Sequence, residues 1–281
     1  MDLDLPVLPP DLERLAVETA AEMYSEMIPN LLLVSRRVHE WIERFKYRTI
    51  TSDGDLSTCP FRVFQRALRS NTKPAPFFRD RVQHLFVRDL DDTQLDEILS
   101  VCTEIRSLVL FQSAGPGVLA ALGATRARRL NLDLKGLLQG IDAQSLHPMF
   151  TFVTHLDLFD SLHRGPHVAH LIDHLSLFPT LTHLAFFQGN REATQVFSRC
   201  RKLEALIGFY TLIPDPRHLR SIDDLRFVTM NVSDDDYVVE WVIGTRGGWD
   251  FWARADAFIK KRIKGEIEPS WRCWIKEGDG I

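Results

Sequence analysis

Three groups of residues have types and spacings that could do chemistry. Gly115-Pro116-Gly117-Val118-Leu119-Ala120 reads G-x-G-x-x-A between strand-like and helix-like text, and Asp133 follows roughly eighteen residues after the first glycine. Such a loop can cradle a pyrophosphate on a helix N-terminus while the carboxylate holds a ribose. His155 and Asp157, two apart on one expected strand, point to the same side, and His183 takes the equivalent place on the next strand-like segment. That combination suits proton transfer or a metal, but spacing fixes no nucleophile or third ligand beside it, so polar strand residues are the competing reading. Cys59, Cys102, Cys200 and Cys273 are scattered with no C-x-x-C pair, which suggests neither a zinc site nor a redox dithiol and fits a reducing compartment. There is no P-loop, no H-E-x-x-H and no G-x-S-x-G. The expectation is a protein that is not an enzyme and needs no cofactor and no metal.

The elements that would position these residues repeat. Thr180-Leu181-Thr182-His183-Leu184-Ala185-Phe186-Phe187 carries the pattern L-x-x-L-x-(L/F), and its three apolar slots recur. They are filled by Val82/Leu85/Val87, Ile105/Leu108/Leu110, Ala127/Leu130/Leu132, Val153/Leu156/Leu158, Leu203/Leu206/Gly208 and Leu225/Val228/Met230. Successive middle slots lie about 22 to 28 residues apart. Between them helical spacing appears at Leu95, Ile98 and Leu99 (i, i+3, i+4), and at Val168, Leu171, Ile172 and Leu175 and at Ala193, Val196, Phe197 and Cys200 (i, i+3, i+4, i+7). One strand and one short helix cannot bury their own apolar face, so such units stack and share a core. The expected fold class is α/β, with parallel strands on one face and short helices on the other.

This pattern resembles an irregular leucine-rich-repeat solenoid, with about seven repeats over residues 81–232. The family's turn Asn or Cys is replaced here by Ser113, Lys135, Ser161, Gly189, Thr211 and Ser233, so the solenoid is expected to be irregular rather than a strongly curved horseshoe.

Before the repeats, Leu8-Pro9-Pro10-Asp11-Leu12 and Leu31-Leu32-Leu33-Val34-Ser35-Arg36 imply two helices started by Pro10 and Pro29. On Leu8, Pro9, Asp11, Leu12, Leu31, Val34, Ser35 and Arg36 the segment 1–48 resembles the F-box, and the whole chain resembles fungal F-box-like proteins with irregular leucine-rich repeats. Val38 stands where that motif commonly has Trp. The resemblance implies a Skp-type adaptor as partner, bound through Leu8, Pro9, Leu12, Leu31 and Val34, and an unknown protein target held by the repeats. It therefore implies the substrate-recognition subunit of a Skp/cullin-type ubiquitin ligase. The alternative is a free-standing leucine-rich-repeat scaffold whose first helices only cap the solenoid.

Residues 49–80 read as a connector around a basic helix that would bury Phe61, Phe64 and Leu68 and leave Arg62, Arg66 and Arg69 in water. Residues 233–281 read as a C-terminal helical cap closing the last repeat, with helices starting at Ser233 and near Trp249. Alternation puts Phe111, Phe159, Phe187 and Phe209 in one column on the strand face opposite the helices, beside His155, Asp157 and His183. An exposed column of that kind would be the partner-binding surface. The other reading turns these rings into the core.

The 281 residues are 45% hydrophobic and 26% charged, enough for a substantial core. A net charge of −4 gives no whole-chain case for nucleic acid or an anionic membrane, and no apolar run is long enough to span one. The start Met1-Asp2-Leu3-Asp4 lacks the basic residues of a secretory signal, so a cytoplasmic or nuclear place is expected. Lys260-Lys261-Arg262 reads as a solvated helix face.

Overall fold

The computed structural model describes residues 8–52, 60–70, 73–111, 114–139, 148–161, 166–175, 178–187, 192–210 and 222–281. Its centre is one open, all-parallel, eight-stranded sheet whose strands follow sequence order. They are β1 (Thr49–Thr51), β2 (His84–Val87), β3 (Ser107–Leu110), β4 (Arg129–Leu132), β5 (His155–Ser161), β6 (His183–Phe187), β7 (Ala205–Tyr210) and β8 (Phe227–Asn231). The middle apolar slots pair directly across the sheet, Leu85 to Leu108 to Leu130 to Leu156 to Leu184 to Leu206. The expected period is thus the strand register.

Both ends of the sheet differ from the sequence reading. β1 lies inside the stretch read as a connector, and its Ile50 pairs with Leu85 and is buried. At the other end Leu206 pairs with Phe227, not with Val228. A slip of one residue exchanges the faces of a strand. Phe227 accordingly enters the helix-side core, and Val228 and Met230 enter the opposite one. Gly208 makes this possible, because a Cβ there would stand 3.5 Å from the Phe227 ring and 3.0 Å from Tyr210. Leu225, expected as an inward slot, is exposed.

On one face pack α4 (Pro60–Arg69), α5 (Ala75–Arg81), α6 (Asp92–Val101), α7 (Leu119–Ala124), α8 (Leu134–Leu137), α9 (Pro166–Leu175) and α10 (Ala193–Arg199). Leu95, Ile98, Leu99, Leu171, Ile172, Leu175 and Val196 meet the strand leucines in one continuous core. Phe61 and Phe64 of α4 join it while Arg62, Arg66 and Arg69 stay in water, as their spacing predicts. A capping box of Asp91 with Gln94 starts α6.

The expected end cap sits elsewhere. α11 (Asp234–Thr245) begins at Ser233, whose hydroxyl accepts from the Asp236 N–H, and ends before Gly247 at φ 74°. α12 (Phe251–Ile263) begins at Asp250, whose carboxylate accepts from the Ala253 N–H. Instead of closing the last repeat, the two helices lie across the strand face. Tyr237, Trp241, Phe251, Trp252, Ala255, Phe258 and Ile259 are buried there against Phe86, Val109, Ala185, Ile207, Phe209, Val228 and Met230. The sheet is the middle of three layers. Edge closure falls to the tail, where the Thr229 N–H donates to the Cys273 carbonyl at 2.6 Å. Arg272, bidentate to Asp279 at 2.7 Å, fixes that tail.

The N-terminal helices α1 (Pro10–Met23), α2 (Ile28–Leu31) and α3 (Arg36–Lys46) hold a small core of their own around Ala21, Val38 and Ile42. The second expected helix is split, because Ser35 caps α3 by accepting from the Val38 N–H at 3.2 Å. Among the described residues no helix is long and apolar enough to cross a membrane.

Candidate interaction surfaces

The strand face was expected to be an open binding column and is instead an interior. Phe209 is fully buried, with Phe187, Phe251 and Tyr237 rings 5.5, 5.1 and 6.5 Å away. Phe111 and Phe159, 4.8 Å apart, and Phe187 are half-buried beneath the same layer. The column is not continuous: the register shifts between Leu158 and Ser161 in β5, and Tyr237 contacts the rings on both sides of the break. The cause of the correction is composition. α11 and α12 bring Tyr237, Trp241, Phe251, Trp252, Phe258 and Ile259, and these large side chains are buried on this face.

The polar residues of the face are docking contacts for the second layer. Trp241 Nε1 donates to Ser107 Oγ at 2.9 Å, and Arg129 Nη1 donates to Asp250 Oδ2 at 2.7 Å. His155 and His183 stack with ring centres 4.2 Å apart, and Trp252 meets both edge-on. His183 Nε2 lies 3.1 Å from Asp256 Oδ1. Asp157 is fully buried, and its Oδ2 accepts from the Tyr237 hydroxyl at 2.6 Å and from Asn131 Nδ2 at 3.2 Å. Asn131 and Tyr237 also contact each other.

Burial sets the protonation of these groups. It pushes the Asp157 carboxyl up to about 7 against the bonds from Tyr237 and Asn131, which lower it. Burial, with His183 and Arg129 adding to it, drives His155 down to about 2. His84 is lowered to about 4 by burial first and then by Arg48, Arg106 and Arg129. At neutral pH both histidines are uncharged. Sequence reasoning brought His155, Asp157 and His183 together correctly, but missed Tyr237, Trp252, Asn131 and Asp256, which complete the arrangement. Asp157 and His183 are buried beneath α11 and α12, and His155 is half-buried there. Among the described residues no group of three or more His, Cys, Asp or Glu is placed to hold a metal.

The glycine loop is equally filled. Gly115 caps a short 3-10 turn, its N–H donates to Asp92 Oδ1 at 3.3 Å, and a Cβ there would meet Asp92 Oδ2 at 2.7 Å. A carboxylate stands where a phosphate would have to. Asp133 caps α8 through the Gly136 N–H instead of waiting for a ribose. Cys102, Cys200 and Cys273 are buried and free, with thiols raised to about 12, 11 and 11 by burial; Cys59 lies outside the described residues. In the basic run of α12, Arg262 is not solvated. It is buried and donates to the Leu225 and Phe227 carbonyls at 2.8 and 3.0 Å.

The N-terminal helices present the open apolar surface. Leu8, Leu12 and Val34 are 56%, 51% and 66% exposed, and Pro9, Leu15 and Leu33 are exposed too. Leu31 is half-buried in the small N-terminal core. None of these residues belongs to the core that contains Val82 and Leu85. No protein-family model matches the chain, and no curated protein matches it either.

Proposed function

We propose that this chain is a non-enzymatic protein-interaction subunit: an irregular leucine-rich-repeat body that offers an F-box-like N-terminal segment to a Skp-type adaptor of a cullin ubiquitin ligase. The observation that carries this reading is the exposure of Leu8, Pro9, Leu12 and Val34 on a segment whose helices have their own core. A segment that merely capped the solenoid would turn those side chains into the sheet. Exposed leucines on a separately packed unit have a physical reason to persist when a partner covers them. Because the strand face is already occupied by α11 and α12, the target is held by another surface of the body.

The test is co-purification of the full chain with a recombinant Skp-type adaptor. Wild type binds, and Pro9→Ala with Leu12→Ala abolishes capture while the melting temperature stays within a degree or two. Capture unaffected by the double substitution, or absent from wild type, rejects the reading. It would favour the scaffold alternative, which has one observation of its own: Ala21, Phe45 and Ile50 line a common hollow of about 420 Å3, so the N-terminal helices do abut the first strand.

A further inference from the structure

The residues just before each strand form a second column, set by backbone pairing rather than by side-chain alternation. Gln83 and His84 N–H groups donate to the Arg48 carbonyl, Arg106 and Ser107 to Gln83, Arg128 and Arg129 to Arg106, and Thr154 and His155 to Arg128. Arg48, Gln83, Arg106 and Arg128 are therefore successive rungs along the rim where the strands begin. Strands about 4.8 Å apart put Arg48 and Arg128 about 14 Å from each other. Beyond them the rim turns neutral and then acidic, with Thr154, Thr182 and Glu204.

Arginine also gathers around this stretch. A hollow of about 260 Å3 beside Arg48 and Arg106 is lined by Arg44 and Arg81 as well, against the carboxylates Glu22 and Asp80. Those carboxylates are engaged: Glu22 lies 3.3 Å from Arg48, and Asp80 lies 2.9 Å from Arg79. Arg106, Arg126 and Arg128 are exposed and make no ion pair among the described residues. The charge is felt locally: after burial itself, Arg48, Arg106 and Arg129 hold His84 neutral, and of the three Arg48 is paired with Glu22 and Arg129 with Asp250, which leaves Arg106. A chain of net charge −4 thus carries at this rim three exposed arginines, Arg106, Arg126 and Arg128, without an ion pair among the described residues.

We propose that this rim is a docking site for an acidic, Asp/Glu-rich segment of a partner protein. Shape selects that ligand. The unpaired charges follow the rim, with Arg106 and Arg128 on adjacent rungs about 4.8 Å apart and Arg126 two residues before Arg128, which suits a run of carboxylates in extended chain. The molecule already uses its first arginines in this way, with Glu18 and Glu22, one turn apart on α1, set on Arg44 at 2.7 Å and Arg48 at 3.3 Å. Single-stranded nucleic acid is the poorer fit, because base stacking needs exposed aromatic rings, and the ring that lines the hollow, Phe45, is half-buried and covered by the Arg44 guanidinium 4.8 Å away. The site is independent of the adaptor surface: Arg106 and Arg128 belong to the strand ends, and its test contains no adaptor.

The experiment is fluorescence anisotropy of a labelled octaglutamate peptide titrated with the full chain at low salt, beside octaglutamine and an eight-residue oligouridylate. Octaglutamate binds and octaglutamine does not. Arg106→Ala with Arg128→Ala weakens binding about five- to tenfold, whereas Arg62→Ala with Arg66→Ala, the same charge change on exposed residues of α4, leaves it unchanged. No octaglutamate binding, equal losses in the two double variants, or oligouridylate bound more tightly than octaglutamate through Arg106 and Arg128 overturns the proposal.

Discussion

Phe209→Ala tests whether α11 and α12 are part of the fold or a cover laid over an open face. Phe209 is fully buried between Phe187 of the neighbouring strand and Phe251 of α12, with ring centres 5.5 and 5.1 Å away. Removing a fully buried ring loses its transfer free energy and leaves a cavity that strand and helix cannot both collapse into, about 3–5 kcal/mol. At about 2–4 °C per kcal/mol, the melting temperature should fall by roughly 6 to 20 °C. The assay is urea unfolding followed in parallel by far-ultraviolet circular dichroism and by tryptophan fluorescence. The two probes see different regions, because Trp241, Trp249, Trp252, Trp271 and Trp274, five of the six tryptophans, follow β8. If the three layers are one core, both transitions move together and by the same amount. A fluorescence transition that moves to lower urea while the dichroism midpoint stays fixed would show that the helices leave the sheet on their own. A loss under about 1 kcal/mol would refute the packing argument itself.

Three further outcomes are expected. Leu184→Ala, at the centre of the helix-side core in β6, should cost about 2–5 kcal/mol in the same urea experiment, and a neutral result would break the repeat register. Asp157→Asn should change the pH dependence of stability with a definite sign. The folded carboxyl, raised to about 7, binds a proton that the unfolded chain has released above about 4, so its contribution is fully present below pH 4 and lost as pH rises through 7. The midpoint of wild type relative to Asp157→Asn should therefore fall between pH 4 and pH 8, and a constant difference would contradict the buried, protonated carboxyl. His155→Gln should do the opposite: the folded imidazole near 2 refuses a proton that the unfolded chain takes up below about 6.5. Wild type should lose stability relative to this variant on acidification from pH 7 to pH 4, checked by thermal unfolding at fixed salt.

The sequence made the sheet legible because its signal is redundant. Six middle slots from Leu85 to Leu206 repeat one pattern at intervals of about 22 to 28 residues, and they pair directly across the sheet. Where redundancy ended, the reading failed. β1, Thr49-Ile50-Thr51, is three residues long, and a single apolar residue between two threonines does not separate it from a loop. In β8 both Phe227 and Val228 could fill the middle slot, and the deciding feature is the missing side chain at Gly208 on the neighbouring strand, which a per-strand pattern cannot weigh. The N-terminal surface was legible as a motif but not as a shape. Val34 has the spacing of a buried helix residue, yet Ser35 starts the helix one position later and leaves Val34 in solvent.

The strand face was the hardest part to read, because the usual cue works against it. Parallel sheets covered on both sides normally have strands that are apolar throughout, whereas β4 to β6 alternate with Arg129, Asn131, His155, Asp157 and His183, as a sheet with one wet face would. These residues are interior because the covering layer brings a partner for each: Asp250 for Arg129, Tyr237 for Asn131 and Asp157, Trp252 for His155, and Asp256 for His183. Every partner lies some 70 to 120 positions further along the chain, beyond any local pattern. A row of polar residues on a strand therefore reports on a second surface as readily as on solvent, and the quantity that separates the two cases lies outside the strand. Here it was the apolar content of α11 and α12, whose Tyr237, Trp241, Phe251, Trp252, Phe258 and Ile259 are buried against that face. With both sheet faces filled, both proposals rest on surfaces the layers do not cover: the N-terminal segment with its exposed leucines, and the arginine rim where the strands begin.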